Sequence, residues 1–362
     1  MVQEELNSEK KLRQIVEPLL EWYRANRRVL PWRKNKDAYA VWVSEIMLQQ
    51  TRVETVIPYY ERFMARCPDV EALTACEEEE LLKLWEGLGY YSRAKNMKKA
   101  ACIVCEEYNG KFPEELEQLQ KLPGIGAYTA GAIASIAFEK AVAAVDGNVL
   151  RVVTRLLQDD TDITDIQFRH KITTVLQKVY PKQGCGDFTQ SLMELGATIC
   201  VPNGMPKCIA CPIRCVCEAY QNLTQTQYPV KKKKKDRKVQ EKTVLLIQYQ
   251  DNIALNKRSE QGLLAGMWEL PNLDGYKTDQ EIEKELISYG IVVDKIGPPK
   301  STDKVIRHIF THIEWNMICK IIECAEVAQD NPFTWVTREQ IRTHISLPAA
   351  FQKVYRYLPD KV

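Results

Sequence analysis

Three groups of residues combine types and spacings that could carry chemistry. The first is rich in thiols: five of the 12 cysteines fall between Cys200 and Cys217. Cys200 is followed after seven residues by Cys208, after two more by Cys211, and then after three by Cys215 or after five by Cys217. Four thiolates close in sequence can hold a tetrahedral zinc or an iron–sulfur cluster. Zinc ribbons usually present two CxxC pairs across a long loop. Here a single CxxC lies in one short loop after a helix, with no histidine nearby, which favours a compact cubane cluster. Spacing alone leaves Cys215 open as a ligand. Cys67, Cys76, Cys102, Cys105, Cys185, Cys319 and Cys324 read as ordinary small core or surface residues.

The second group is a pair of carboxylates. Glu45 lies in VWVSEIML, where Val41, Trp42, Val43, Ile46, Met47 and Leu48 leave little of a helix polar. A carboxylate there is either paired with a cation or kept partly protonated by burial. Asp146, in Val145-Asp146-Gly147-Asn148, opens a helix and could simply cap it. Cleavage of an N-glycosidic bond needs two such groups tuned apart, one protonated to neutralise the departing base and one ionised to stabilise a cationic sugar. A buried Glu45 suits the first role. A helix N-terminus, whose dipole favours negative charge, suits Asp146 to the second.

The third group is a turn, Leu122-Pro123-Gly124-Ile125-Gly126, between two helical patterns. Its glycines permit backbone shapes closed to other residues. The amides at the start of the following helix can then face an anion, as a helix N-terminus holds a phosphate. Such a helix–hairpin–helix grips duplex backbone without reading sequence, although a PGxG turn alone is also a common helix connection.

The elements that must position these groups follow from periodicity. Apolar residues recur at three- and four-residue spacing over 12–26, 40–49, 53–66, 77–84, 93–108, 116–121, 129–138 and 149–157, predicting a largely helical first region. The stretch 226–242 is polar and contains five lysines at 231–235, reading as a linker that could alternatively touch DNA phosphates. Strand patterns at 243–250, 251–258 and 315–324, with a charged helix at 278–288 between them, predict a smaller α+β domain. Three regions are therefore expected: 1–225, 226–242 and 243–362. A formal net charge of +2 leaves any nucleic-acid binding to local basic clusters. No apolar run reaches the roughly 18–20 residues needed to span a bilayer, and the charged N-terminus lacks the apolar core of a signal peptide. A cytoplasmic, DNA-associated protein with no membrane partner is expected.

Together these motifs resemble the helix–hairpin–helix, iron–sulfur DNA glycosylases of the endonuclease III superfamily, and most closely the adenine DNA glycosylases of the MutY type. The resemblance spans almost the whole chain and is carried by LPWR (30–33), VWVSEIMLQQTRV (41–53), WEGLGYYSRAKN (85–96), LPGIGAYTAGA, VDGNVLRV and the cysteine loop. It implies a mostly α N-terminal region, a six-helix barrel lobe plus an iron–sulfur lobe, joined to an α+β Nudix-like C-terminal domain. It also implies roles for single residues. Glu45 matches the general acid that protonates adenine, and Asp146, with Asn148 beside it, the carboxylate that stabilises the sugar. Arg28, Trp32, Arg33 and Leu48 match the surroundings of the adenine pocket. Gln50 and Tyr90 match residues that wedge into the duplex, with Thr51 and Leu88 alongside as DNA or lesion contacts and Gly124 and Gly126 on the backbone. Cys200, Cys208, Cys211 and Cys217 match the ligands of one 4Fe–4S cluster. Tyr128 stands where strand-cutting relatives carry a lysine. Tyrosine forms no Schiff base, so little or no lyase activity is expected.

In the C-terminal domain LLAGMWELPN (263–272) and IRHIFTHIEW (306–315) carry the resemblance. Phe310-Thr311-His312 matches a loop that inspects 8-oxoguanine, with Thr311 where serine is frequent. A hydrolytic Nudix domain needs a glutamate-rich metal-binding helix. Between Gly275 and Gly290 stand only Glu281, Glu283 and Glu285, with Ser288-Tyr289 in place of a paired Glu-Glu, so this domain is expected to recognise rather than hydrolyse. The first cysteine spacing is one residue longer than the family's usual value, an insertion near Asn203-Gly204. The implied function is excision of adenine paired with 8-oxoguanine or guanine from double-stranded DNA, by a monomer. A pyrimidine-lesion glycosylase/lyase, a catalytically silent DNA scanner and a Nudix pyrophosphohydrolase are the competing readings. Tyr128, the intact Glu45 and Asp146, and the missing glutamate pair weigh against them in turn.

Overall fold

In the computed structural model residues 2–232, 236–299 and 305–358 are described. The chain divides into two units, residues 1–75 with 96–234, and residues 76–95 with 235–362.

The first unit is helical. In the helix Ala38–Leu48, Asp37 accepts from the Ala40 amide at 2.8 Å and so caps the N-terminus. Every residue from Tyr39 to Met47 is buried, so this helix is enclosed on all sides and any polar group on it is held away from water. The helix Ala127–Ile136 packs closely on the segment that follows it. A Cβ at Gly131 would stand 2.7 Å from the Ala143 carbonyl oxygen, so only glycine allows the approach. The helix Gly147–Leu157, capped by Asp146, buries Val149, Val153 and Leu156 against Leu12, Ile15 and Leu19 and against Phe188, Leu192 and Leu195 of the helix Cys185–Thr198. Each such side chain contributes about 1.5–3 kcal/mol of burial.

The second unit contains a mixed eight-stranded sheet. Its centre is a parallel pair, Lys238–Tyr249 with Ile313–Val327, in register from Lys238 opposite Ile313 to Gln248 opposite Glu323. Asn252–Lys257 and Asn272–Asp274 pair antiparallel with the first of these strands. Ile291–Gly297 and Ile306–Ile309 pair antiparallel with the second. Side chains alternate across a strand: Val244 and Leu246 enter one core with Trp315 and Phe351, while Leu245 and Ile247 enter another with Ile282 and Leu286. A strand buried on both faces reads as the continuous apolar run TVLLI. Thr278 and Glu281 form a reciprocal capping box at the helix Asp279–Ser288.

The 226–242 stretch, polar in composition, is anchored where it is described. Arg155 Nε donates to the Tyr228 carbonyl at 3.0 Å, the Ile163 amide to that of Val230 at 3.1 Å, and the first strand already begins at Lys238. Of the lysine run, Lys233–Lys235 lie outside the described residues. Among the described residues no helix is long and apolar enough to cross a membrane.

Candidate active site

Glu45 is 6% exposed and accepts a hydrogen bond on Oε2 from the Tyr128 hydroxyl, the first side chain of any size past the hairpin. Burial pushes its carboxyl up to about 7; the negative charge of Asp146 adds to this, while the Tyr128 hydrogen bond and the Arg33 cation oppose it. Of the two alternatives open from sequence, a protonated buried acid therefore fits better than a paired anion. Burial and the neighbouring carboxylates hold the Tyr128 phenol well above its ordinary range, so it remains a donor at neutral pH.

Asp146 caps its helix: Oδ1 accepts from the Val149 amide at 2.8 Å and Oδ2 from Asn148 Nδ2 at 2.7 Å. Burial raises its pKa above the ordinary carboxylate value, against the pull of these bonds and of Arg151. The helix N-terminus thus moderates the effect of burial without reversing it. Asp146 nonetheless has several donors aimed at its anionic form where Glu45 has one, so of the two carboxyls Glu45 is the better suited to keep a proton.

Arg151 ties this carboxylate to the cysteine loop. Its Nη2 donates to Asn148 Oδ1 and to the Gly196 carbonyl, both at 2.8 Å, and its Nε donates to the Cys200 carbonyl at 2.8 Å. Four of the five clustered cysteines, Cys200, Cys208, Cys211 and Cys217, line one cavity together with Arg155, Leu195 and Ile213. Cys215 is exposed and lies off that lining. Arg155 Nη1 lies 3.2 Å from Cys200 Sγ, a cation suited to thiolate charge. Among the described residues no three Cys, His, Asp or Glu groups gather as ligands of a single ion would.

Arg28 and Arg33 converge on a residue that sequence reading passed over. Glu194, 1% exposed, accepts from Arg28 Nε at 2.6 Å and Nη2 at 3.1 Å, and from Arg33 Nη2 at 2.8 Å. These bonds and cations hold it below the ordinary carboxylate range despite burial. A lone glutamate in the apolar pattern FTQSLMELG was the signal available. Trp32 is buried edge-on to Tyr60 at 5.4 Å. Leu48 ends its helix half-buried, its carbonyl accepting the Thr51 amide at 3.2 Å, and the intervening Gln50 is exposed with a φ of 61°. Such a φ is uncommon for a residue with a side chain. In the hairpin Gly124 has a φ of 76°, Ile125 is buried, and a Cβ on Gly126 would meet nothing within 4 Å. That leaves the start of the Ala127–Ile136 helix approachable.

The remaining expected DNA and lesion residues lie in the second unit. Leu88 is buried, whereas Tyr90 is exposed with a φ of 49°. The Tyr90 hydroxyl lies 3.4 Å from Thr311 Oγ1, at the limit of a hydrogen bond. Thr311 and His312 are exposed at the tip of the hairpin between Ile306–Ile309 and Ile313–Val327. Phe310 anchors that tip, its ring 4.6 Å from His308 and 4.9 Å from Trp315. On the helix Asp279–Ser288 the acidic side chains serve local structure: Glu281 closes the capping box and Glu285 accepts from the Tyr289 hydroxyl at 2.6 Å.

The chain is similar to known proteins along most of its length. Residues 43–178 match the HhH-GPD superfamily base excision DNA repair proteins, and residues 243–357 match the NUDIX domain. A thermostable thymine-DNA glycosylase structure is 29% identical, with a TM-score of 0.53 over 59% of this chain and 98% of its own. Endonuclease III in a non-covalent DNA complex, 22% identical with a TM-score of 0.51 over 60% of this chain and 98% of its own, shares the fold. Adenine DNA glycosylase of Buchnera aphidicola subsp. Schizaphis graminum is 35% identical over 93% of this chain and 96% of that protein. The enzyme of that name from Mus musculus is 34% identical over 94% of this chain and 77% of its own. The chain belongs to the adenine DNA glycosylase family. It is a base-excision DNA glycosylase, a hydrolase of N-glycosyl bonds.

Proposed function

We propose that this enzyme excises adenine paired with 8-oxoguanine or guanine in duplex DNA. The observation that carries the reading is a buried Glu45 with a carboxyl near neutrality, hydrogen-bonded by Tyr128, beside an Asp146 held by a helix N-terminus. Glu45 donates its proton to a ring nitrogen of adenine as the glycosidic bond breaks, and the bonding electrons leave with the base. Asp146, kept ionised by its donors, stabilises the cationic sugar. Water then adds to the anomeric carbon, and its proton returns to a carboxylate. Asn148 and Arg151 hold Asp146 in place. Arg28, Arg33, Trp32 and Leu48 surround the extruded base, and Gln50, Thr51, Leu88 and Tyr90 occupy the duplex it leaves, whose unstacking costs about a few kcal/mol. Tyr128 offers no amine, so strand cutting by a Schiff base is not part of the reaction.

Cys200, Cys208, Cys211 and Cys217 would hold one 4Fe–4S cluster. Their shared lining of one cavity, with the Arg155 guanidinium beside Cys200 Sγ, supports this reading, and the cluster when bound would fix the shape of the loop. Lys207 and Arg214 on that loop face phosphates. Residues 1–225 carry the chemistry, 226–242 connect, and 243–362 recognise the lesion through Phe310, Thr311 and His312. The enzyme works as a monomer.

Single-turnover base release from duplexes with A opposite 8-oxoguanine, G or T, and with thymine glycol, tests this. Fast adenine release opposite 8-oxoguanine with none opposite T is expected. Release of thymine glycol with strand cutting, or a borohydride-trapped complex as abundant as that of a lysine-bearing relative, would overturn it.

A further inference from the structure

The residues that carry Leu88 and Tyr90 are tied to the C-terminal part of the chain by a half-buried polar latch. Lys83, in the last turn of the helix Glu78–Leu84, donates to Glu86 Oε2 at 2.6 Å and to the Ile341 and Ile345 carbonyls at 2.9 and 3.1 Å. The other Glu86 oxygen accepts the Leu347 amide at 2.9 Å. Ile341 belongs to the helix Arg338–Thr343, whose final carbonyls have no partner within the helix. A lysine there satisfies an orphan acceptor and complements the dipole. Lys83 and Glu86 are each only 20% exposed, and Ile341, Ile345 and Leu347 are buried. A surface ion pair would contribute little, but here loss of the lysine would strand buried carbonyls.

Beyond the latch the chain is cross-linked by hydrogen bonds and ring contacts as far as Tyr90. Trp85 Nε1 donates to the Gly89 carbonyl at 3.2 Å, and Arg93 Nη2 donates to the Leu88 and Gly89 carbonyls at 3.2 and 3.1 Å. The Arg93 guanidinium also lies over the Trp85 and Tyr90 rings at 5.4 and 5.5 Å. The 85–91 turn therefore moves with Lys83 and Glu86 and presents Tyr90 to Thr311.

We propose that Lys83 and Glu86 are positioning residues for lesion discrimination, their latch to residues 341–347 fixing the Leu88–Tyr90 turn to the Thr311 hairpin so that wedge and lesion reader act as one piece. The inference rests on the substrate reading above. The latch touches neither adenine nor the reacting carboxylates. Its loss should therefore lower excision opposite 8-oxoguanine while leaving excision opposite guanine unchanged.

The test is single-turnover adenine release opposite 8-oxoguanine and opposite guanine by the full-length, cluster-loaded enzyme. Lys83→Met keeps the aliphatic stem and removes the donors. It should cut the 8-oxoguanine-to-guanine rate ratio roughly 2- to 30-fold. Lys83→Arg, which can still donate to carbonyls, should restore most of the ratio. Lys257→Ala, which breaks the exposed 3.4 Å pair with Glu79 on the same helix, should leave it unchanged. An unaltered ratio in Lys83→Met, or an equal loss on both duplexes, would overturn the proposal. Should Lys83→Met lack a cooperative melt, the same two outcomes are read from Glu86→Gln, which keeps an acceptor for Leu347. A wild-type enzyme that released no adenine from either duplex would instead remove the substrate reading on which the proposal stands.

Discussion

The Glu45–Asp146 centre and the Phe310–His312 hairpin place their polar groups under opposite regimes. Glu45 is buried in a helix enclosed on all sides and held by one specific donor. Thr311 and His312 are exposed at a hairpin tip, with only Phe310 sunk beneath them. Burial changes what a carboxyl is, raising its proton affinity, whereas an exposed hydroxyl and imidazole rely on placement. A reaction centre needs altered chemistry, and a reading loop needs unaltered donors and acceptors in the right position.

The largest effect that would break this contrast is at Glu45. Glu45→Gln should reduce single-turnover excision by about 10²- to 10⁴-fold with duplex affinity retained in a gel-shift titration; excision at the wild-type rate would remove the acid assignment. The pH dependence follows in sign from the raised carboxyl, near 7. The protonated, active form dominates below that value, so excision should fall about tenfold per pH unit above it, whereas the stability contributed by the neutral carboxyl is lost at lower pH, on the rise from the ordinary value of 4.5 to about 7. A rate flat from about pH 6 to about pH 9 would show that Glu45 is not the titrating acid. At the exposed end, the double substitution Thr311→Ala, His312→Ala should cost roughly 5- to 30-fold in preference for 8-oxoguanine over guanine, the worth of one or two hydrogen bonds, with excision opposite guanine unchanged. An equal fall on both duplexes would mean that the hairpin supports folding rather than reading. Smallest, Lys207→Ala with Arg214→Ala should flatten the dependence of log affinity on log salt by about one for each phosphate no longer neutralised, measured by anisotropy from low to moderate salt.

Sequence made the buried site legible because its signals are local. The apolar surroundings of Glu45 mark an enclosed helix, and the Asp146-Gly147-Asn148 start marks a cap within the same few residues. Glu194 was hidden, since its pairing with Arg28 and Arg33 lies more than 160 residues away along the chain. Seeing it required knowing which face of the Cys185–Thr198 helix turns inward. The strands Ile291–Gly297 and Ile306–Ile309 escaped the periodicity reading because they are short and many of their positions are exposed, the apolar Val292 and Ile309 among them. Periodicity found the helix Glu78–Leu84 but not its allegiance, which is set by hydrogen bonds to residues some 260 positions later. For the cysteine loop, spacing did not exclude Cys215, and only the three-dimensional arrangement shows that Cys217 lines the cavity while Cys215 is exposed.

The grouping of residues 76–95 with 235–362 also bears on how the chain can be divided. Sequence order suggests that severing the backbone near residue 232 would yield two self-sufficient halves. The covalent path says otherwise, because Lys83 travels with the first fragment while the carbonyls it serves stay with the second. Protease nicking in that region should leave the pieces associated until denaturant separates them, and neither half produced alone would inherit a finished surface.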